Sequence, residues 1–156
     1  MTKDLLSDPR ITAAGLLAEA SSGLTAKTMA QLNEHGLGQV DFDVLIRLAR
    51  SPGQQLRMSD LAAQTGLSTS GITRVVDRLE RDGLVERRAC PTDRRGSFTA
   101  ITKTGEAKLL AALPGHLDLI DKWFTGLYEA QELDQFLGGL RRLRDVVRPE
   151  SVSGAA

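Results

Sequence analysis

Two short helical patterns that meet at Gly66 constrain this chain more than any other feature. The first opens at Ser59, a good N-cap, with Asp60 in the first turn near the positive end of the helix dipole. Leu61 and Ala62 point inward, and Gly66 ends it. The second opens at Ser68 and is closed by Gly83, the residue type that best tolerates the left-handed backbone of a helix end. Within it Ile72, Val75, Val76 and Leu79 recur at spacings of three and four, so they share one face. Two helices joined by so short a turn predict a helix-turn-helix.

The next segment completes a small lobe. Residues 84–90 and 97–101 read as strands, and between them lies the turn-rich basic run Pro91-Thr92-Asp93-Arg94-Arg95-Gly96. That pattern predicts a β-hairpin with a charged tip. Thr102 reads as the N-cap of a further helix. Upstream, Asp8-Pro9 signals a first helix running to about Asn33, ended by Gly36 and Gly38. A second starts near Asp41, carries Phe42, Leu45, Ile46 and Ala49 on one face, and stops at Ser51-Pro52-Gly53. The last third is helical. Leu113, Leu117, Ile120, Phe124 and Leu127 form one stripe, and Leu133, Phe136, Leu137, Leu140, Leu143 and Val147 another. Pro114-Gly115 is expected to kink or interrupt the fifth helix.

Only 4% of the residues are aromatic, so the core must be built of Leu, Ile, Val and Ala, which favours helices. The expected fold is mainly α. A winged helix-turn-helix lobe spans residues 36–105, and the terminal helices, 1–35 and 106–148, form a separate apolar region. Residues 149–156 are expected to be a flexible tail. A single cysteine, Cys90, excludes an intrachain disulfide and suits a reducing cytoplasm. Neither a signal peptide nor a membrane span is legible, so the expected location is cytoplasmic and no membrane partner is expected.

Twenty basic and twenty acidic side chains cancel. Their distribution does not cancel. Residues 51–105 carry nine basic and six acidic groups, a local +3, against −1 before (five and six) and −2 after (six and eight). A basic patch on a neutral protein can still engage phosphates.

Residues 59–105 read SDLAAQTGLSTSGITRVVDRLERDGLVERRACPTDRRGSFTAITKTG. This segment resembles the core of the MarR family of bacterial regulators. The wing signature falls on Asp93, Arg95, Ile101, Thr102 and Gly105, with Ile101 where the family more often has Leu. The helix order extends the resemblance to about residues 8–148. It implies a homodimeric transcriptional regulator, commonly a repressor, that binds double-stranded DNA and is relieved by a small-molecule effector. It names no cofactor and no effector-binding residue.

The reading helix then acquires roles. Opposite its apolar face lie Ser70, Arg74, Asp77 and Arg81, with Thr69 and Thr73 to one side. A major groove admits one helix, whose N-terminal residues reach base edges. Ser70, Thr73 and Arg74 are the candidates for base contact, Arg74 for guanine. Ser68 and Thr69, with the free N–H groups of the helix start, and Arg78 are the candidates for phosphate. The bland alternative is a solvated helix face. At the wing, Arg94 and Arg95 sit at the tip, and the resemblance implies that Arg95 enters a minor groove. Asp93 is expected to brace the wing by pairing with Arg87 or Arg88. The alternative is a solubilising hairpin tip. The terminal stripes fit a dimerisation region that would set two reading helices about 34 Å apart, one DNA turn. The alternative is packing of these stripes within one chain.

Other residues carry less. Cys90 lies beside cationic groups that would favour a thiolate, so redox sensing is conceivable. His35, Cys90 and His116 lack metal-ligand spacing, and no metal is expected. Trp123 reads as core or interface. No phosphate loop or nucleophile motif supports an enzyme.

Overall fold

The computed structural model describes residues 5–92 and 96–154. Six α-helices are described: α1 (Pro9–Glu34), α2 (Gln39–Arg50), α3 (Met58–Thr65), α4 (Thr69–Arg81), α5 (Lys103–Trp123) and α6 (Ala130–Val147). Three strands, β1 (Gln55–Arg57), β2 (Val85–Ala89) and β3 (Ser97–Ile101), form one antiparallel sheet in the order β1-β3-β2.

The helix boundaries obey the caps. Asp8 accepts from the N–H of Arg10, and Pro9 occupies the first turn of α1. Gly66, at φ 69°, caps α3 in the left-handed region. Ser68 accepts from Gly71 N at the start of α4, and Thr102 accepts from Gly105 N at the start of α5. One cap differs from expectation. The third helix begins at Met58 with Arg57 as its N-cap, so Ser59 lies inside it.

The sheet also differs. The hairpin of β2 and β3 is present, but β1 adds a third strand that pairs Leu56 with Thr99, opposite Arg87 on the other side. At three residues it is too short to show an alternation of its own. Thr99 is fully buried beneath it, and its hydroxyl donates to Met58 Sδ at 2.9 Å, which satisfies a polar group inside an apolar core.

That core is contiguous. Leu45 and Leu48 of α2, Leu61 of α3, Ile72, Val76 and Leu79 of α4, Leu84, Val85 and Ile101 of the wing and Leu109 of α5 are each at most 5% exposed. α4 therefore turns its apolar face inward, as its spacing predicts, and packs on α2, α3 and the sheet.

Gly105 fixes how α5 leaves the wing. A Cβ at this position would lie 2.1 Å from the backbone oxygen of Leu84. The close approach is tied by Thr102, whose N–H donates to Leu84 O at 3.0 Å and whose hydroxyl donates to Gly83 O at 2.7 Å.

α5 runs through Pro114 without interruption. Proline removes the bond to the carbonyl four residues back, which belongs to Leu110, an exposed residue, so the loss falls at the surface. On the inner side Gln31 of α1 donates to Ala112 O at 2.9 Å and ties the two helices there.

The end of the chain is docked as far as residue 154, where the sequence suggests a flexible tail. Pro149–Val152 form a 3-10 turn that packs on α3. Ser153 Oγ bonds Asp60 at 2.8 Å, and Gln64 Nε2 donates to Ser153 O at 2.6 Å. Small polar residues carry no hydrophobic period, so this docking through hydrogen bonds leaves no trace in a pattern. α6 itself buries none of its side chains.

Candidate nucleic-acid interface

The outer face of α4 projects from a fixed base. Ile72 (1% exposed), Val76 (0%) and Leu79 (1%) anchor the helix. Ser68, Thr69, Ser70, Thr73, Arg74 and Arg81 all face solvent. The predicted reading residues are therefore brought together on one exposed surface at the start of one helix.

Their hydroxyls have defined partners. Ser68 Oγ accepts from Gly71 N at 3.0 Å, which caps the helix, and lies 3.2 Å from Ser70 Oγ. Thr73 donates to Thr69 O at 2.8 Å. With its proton turned back on the helix, Thr73 presents lone pairs and a methyl group outward. Both suit a base edge, the oxygen for an amino donor and the methyl for thymine. Gly71 sits against the cap, where a Cβ would lie 3.0 Å from Ser68 Oγ.

The arginines divide into two groups. The ion pairs among the described residues leave Arg74 and Arg81 unpaired. Arg78, a candidate for phosphate, grips Asp41 of α2 with Nη1 at 2.9 Å and Nη2 at 2.6 Å. Asp41 is only 7% exposed and lies 37 positions away, so the pairing is invisible to local sequence spacing.

Two carboxylates on α4 are drawn away from the reading surface. Arg87 of β2 takes Asp77 Oδ1 through Nη2 at 2.6 Å and Glu80 Oε1 through Nη1 at 3.0 Å, and its backbone N–H donates to Glu80 Oε2 at 2.8 Å. The hydrogen bond that it donates to Asp77 raises the Arg87 pKa above its ordinary value. Arg87 thus ties β2 to α4 through two carboxylates that the sequence does not identify as its partners. Arg88 pairs with Glu86 at 2.6 Å. Asp93, Arg94 and Arg95 lie outside the described residues.

A cleft of about 340 Å³ beside α4 is lined by Arg57, Ser59, Thr69, Thr73 and Ser97 among others. It joins the start of α3, the reading helix and the wing. Arg57, whose guanidinium carbon lies 5.6 Å from the centre of the Phe98 ring, is not among the residues that the sequence singles out. Its position on a three-residue strand gives no signal.

The remaining candidates sit elsewhere. Cys90 is buried, with Sγ 3.4 Å from Thr92 Oγ1. His116 is buried against Phe42, ring centres 4.4 Å apart, and burial pushes its pKa below the ordinary value. Trp123 borders an apolar groove of about 490 Å³ with Leu17, Leu24, Phe124, Tyr128 and Phe136. Among the described residues no cluster of His, Cys, Asp and Glu is placed to hold a metal, and no helix is long and apolar enough to cross a membrane.

Residues 35–96 match the model of the MarR family. The chain is 32% identical over 128 residues to the HTH-type transcriptional regulator MhqR of Bacillus subtilis, covering 82% of this chain and 86% of that protein. It is 32% identical over 117 residues to the HTH-type transcriptional repressor YetL of the same organism, covering 72% of this chain and 70% of YetL. Among solved structures, Sco3205, a MarR family transcriptional regulator from Streptomyces coelicolor crystallised in complex with DNA, superimposes with a TM-score of 0.80 at 29% identity. The match covers 92% of this chain and 89% of that one.

Proposed function

The chain belongs to the MarR family of transcriptional regulators, and on that premise we propose that it is a sequence-specific repressor that binds a near-palindromic operator as a homodimer and is released by a small-molecule ligand. It is a transcription regulator and not an enzyme. One observation carries the DNA-binding residues. α4 presents Ser70, Thr73 and unpaired Arg74 outward while Arg87 neutralises the two carboxylates that would repel a phosphate backbone. Ser68 and Thr69 hold phosphate at the helix start. Arg94 and Arg95 complete the set of candidate DNA contacts, with Arg95 assigned to the minor groove by the family resemblance. Arg78 acts by holding α4 on α2 rather than by reaching DNA.

The dimer reading rests on apolar surface. Leu5 is 64% exposed, Leu6 79%, Leu117 56% and Val147 67%, all on the terminal segments. Exposed apolar surface of this extent marks an interface. The repressor reading rests on the name of YetL, and a DNA partner suits a cytoplasmic location.

Fluorescence anisotropy against DNA from the upstream region of its own gene, and against a scrambled duplex, across a salt series tests this. Tight binding to the native duplex alone, falling steeply with salt, is expected. Absence of binding even at low salt would sink the proposal.

A further inference from the structure

We propose that Arg148 is a positioning residue for DNA reading: from just beyond α6 it caps α3 at the turn that leads into α4, and so sets the start of the reading helix without touching DNA itself. The inference rests on the regulator reading above. Its starting point is a need of α3. A helix leaves its last carbonyls without internal partners, and its C-terminus favours a cation. α3 has no basic residue in its own last turn. Leu67 N–H donates back to Ala62 O at 3.2 Å and Gly66 N–H to Ala63 O at 3.3 Å. Gln64 O is met from 84 positions away, by Arg148 Nη2 at 2.8 Å, with Ala63 O at a longer 3.5 Å. Arg148 therefore supplies both the missing donor and the missing charge.

The guanidinium also fits the turn itself. A Cβ on Gly66 would lie 2.6 Å from Arg148 Nη2 and 2.9 Å from its Cζ. Gly66 is thus bare for two reasons, its left-handed φ of 69° and the arginine laid against it. A single residue, Leu67, separates Gly66 from Ser68, the N-cap of α4. A shift at the end of α3 is passed at once to the first turn of α4, where Ser68, Thr69, Ser70, Thr73 and Arg74 stand.

The segment that carries Arg148 grips the other end of α3 as well. Ser153 Oγ bonds Asp60 Oδ1 in the first turn at 2.8 Å, and Gln64 Nε2 donates to Ser153 O at 2.6 Å. Gly154, at φ 74°, lies so close that a Cβ would stand 2.7 Å from Asp60 Oδ2. Residues 148–154 therefore form a strap along α3, anchored at both ends by polar contacts.

These contacts are separate from those that keep the lobe folded. Leu61, Ile72, Val76 and Leu79 hold α3 and α4 in the apolar core, and Arg148 is half-buried outside it. Loss of the arginine therefore leaves the core in place and frees the end of α3 to tilt. Hydrogen bonds to base edges weaken steeply with distance and angle. The attraction of cations to phosphate falls off slowly. A tilted reading helix loses discrimination between duplexes and keeps its general affinity for DNA.

Anisotropy of the full chain with Arg148→Gln, against the upstream duplex and the scrambled duplex across a salt series, tests the assignment. The affinity for the upstream duplex should fall about fivefold or more, with the affinity for the scrambled duplex and the salt slope unchanged. Arg148→Lys, which keeps the charge and one donor direction, should recover part of the loss. Gly66→Asn is the second variant. Asparagine tolerates the left-handed backbone, and its Cβ displaces the arginine, so it should reproduce the loss alone and add little to Arg148→Gln. Unchanged upstream affinity, additive losses in the double variant, or equal weakening of both duplexes would overturn the positioning role. A salt slope reduced by about one would overturn it too, since that marks a phosphate contact. Circular dichroism of the same samples separates tilting from unfolding, and a variant that loses its helical signal at the assay temperature counts against the role. Absence of DNA binding in every sample, wild type included, condemns the regulator reading instead.

Discussion

Arg78 of α4 and Asp41 of α2 are joined by two hydrogen bonds, at 2.9 and 2.6 Å, across the back of the reading helix. The aspartate is nearly buried and the guanidinium half-exposed, so the pair ties the recognition element to the lobe beneath it. Asp41 also accepts from Gly38 N at 3.4 Å at the start of its own helix. Asp41→Ala is expected to remove all three bonds and lower stability by about 2 kcal/mol. Urea denaturation monitored by circular dichroism measures it. Arg78→Lys, which retains charge but not the fork, should recover only part of the loss.

Arg74 should behave in the opposite way. It is exposed and unpaired, so Arg74→Ala is expected to leave the denaturation midpoint unchanged. Operator affinity should fall by about 1–3 kcal/mol, with sequence preference relaxed at one position. Binding to a panel of single-base operator variants separates this from a phosphate contact, which would weaken every duplex alike.

Gly105→Ala meets a backbone atom that has nowhere to go. The added methyl would lie 2.1 Å from Leu84 O, and either α5 or the wing must move. A cost of about 3 kcal/mol or more is expected, read as a lower thermal midpoint. By contrast Gly23→Ala, with nothing within 4 Å of the new atom, should be neutral or mildly stabilising.

His116 gives stability a pH dependence of known sign. Burial lowers its pKa from the ordinary 6.5. The unfolded chain therefore takes up a proton that the folded chain resists, and stability falls as pH drops below 6.5. Denaturation midpoints measured between neutral and mildly acidic pH should show this slope. His116→Phe, which keeps a ring against Phe42, should flatten it.

The terminal helices carry the last expectation. Leu143 is 41% exposed and Val146 81%. Replacing both by glutamate should leave the helix-turn-helix lobe folded and convert the proposed dimer to a monomer. Sedimentation velocity distinguishes the two by mass, and a wild type that sediments as a monomer would contradict the dimer reading outright.

Local chemistry makes most of the fold legible. Asp8, Ser68 and Thr102 cap the helices whose starts they signal, and Gly66 and Gly83 stand at φ 69° and 74° where helices end. Spacing alone orients α4. What escapes the sequence are contacts between distant segments. β1 exists because Gln55–Arg57 meets β3, and three residues are too few to establish an alternation. The sequence suggests Asp93 as the partner of Arg87 or Arg88, whereas Asp77 and Glu80 bond Arg87 once the strand folds back on α4. Arg78 looks like any other solvent-facing cation because Asp41 belongs to another helix. The docked C-terminal turn rests on backbone carbonyls, which every sequence supplies.

Trp123 is the chain's single tryptophan. It is 41% exposed at the rim of the apolar groove, with Lys27 Nζ 4.6 Å and Lys122 Nζ 5.0 Å from the ring. The molecule thus carries one built-in fluorophore, placed where terminal-helix surface would be covered and flanked by charges that tune its emission. Whatever covers that groove must shift the spectrum to shorter wavelength as water leaves the indole. If the proposed dimer covers it, dissociation on dilution can then be followed on unlabelled protein.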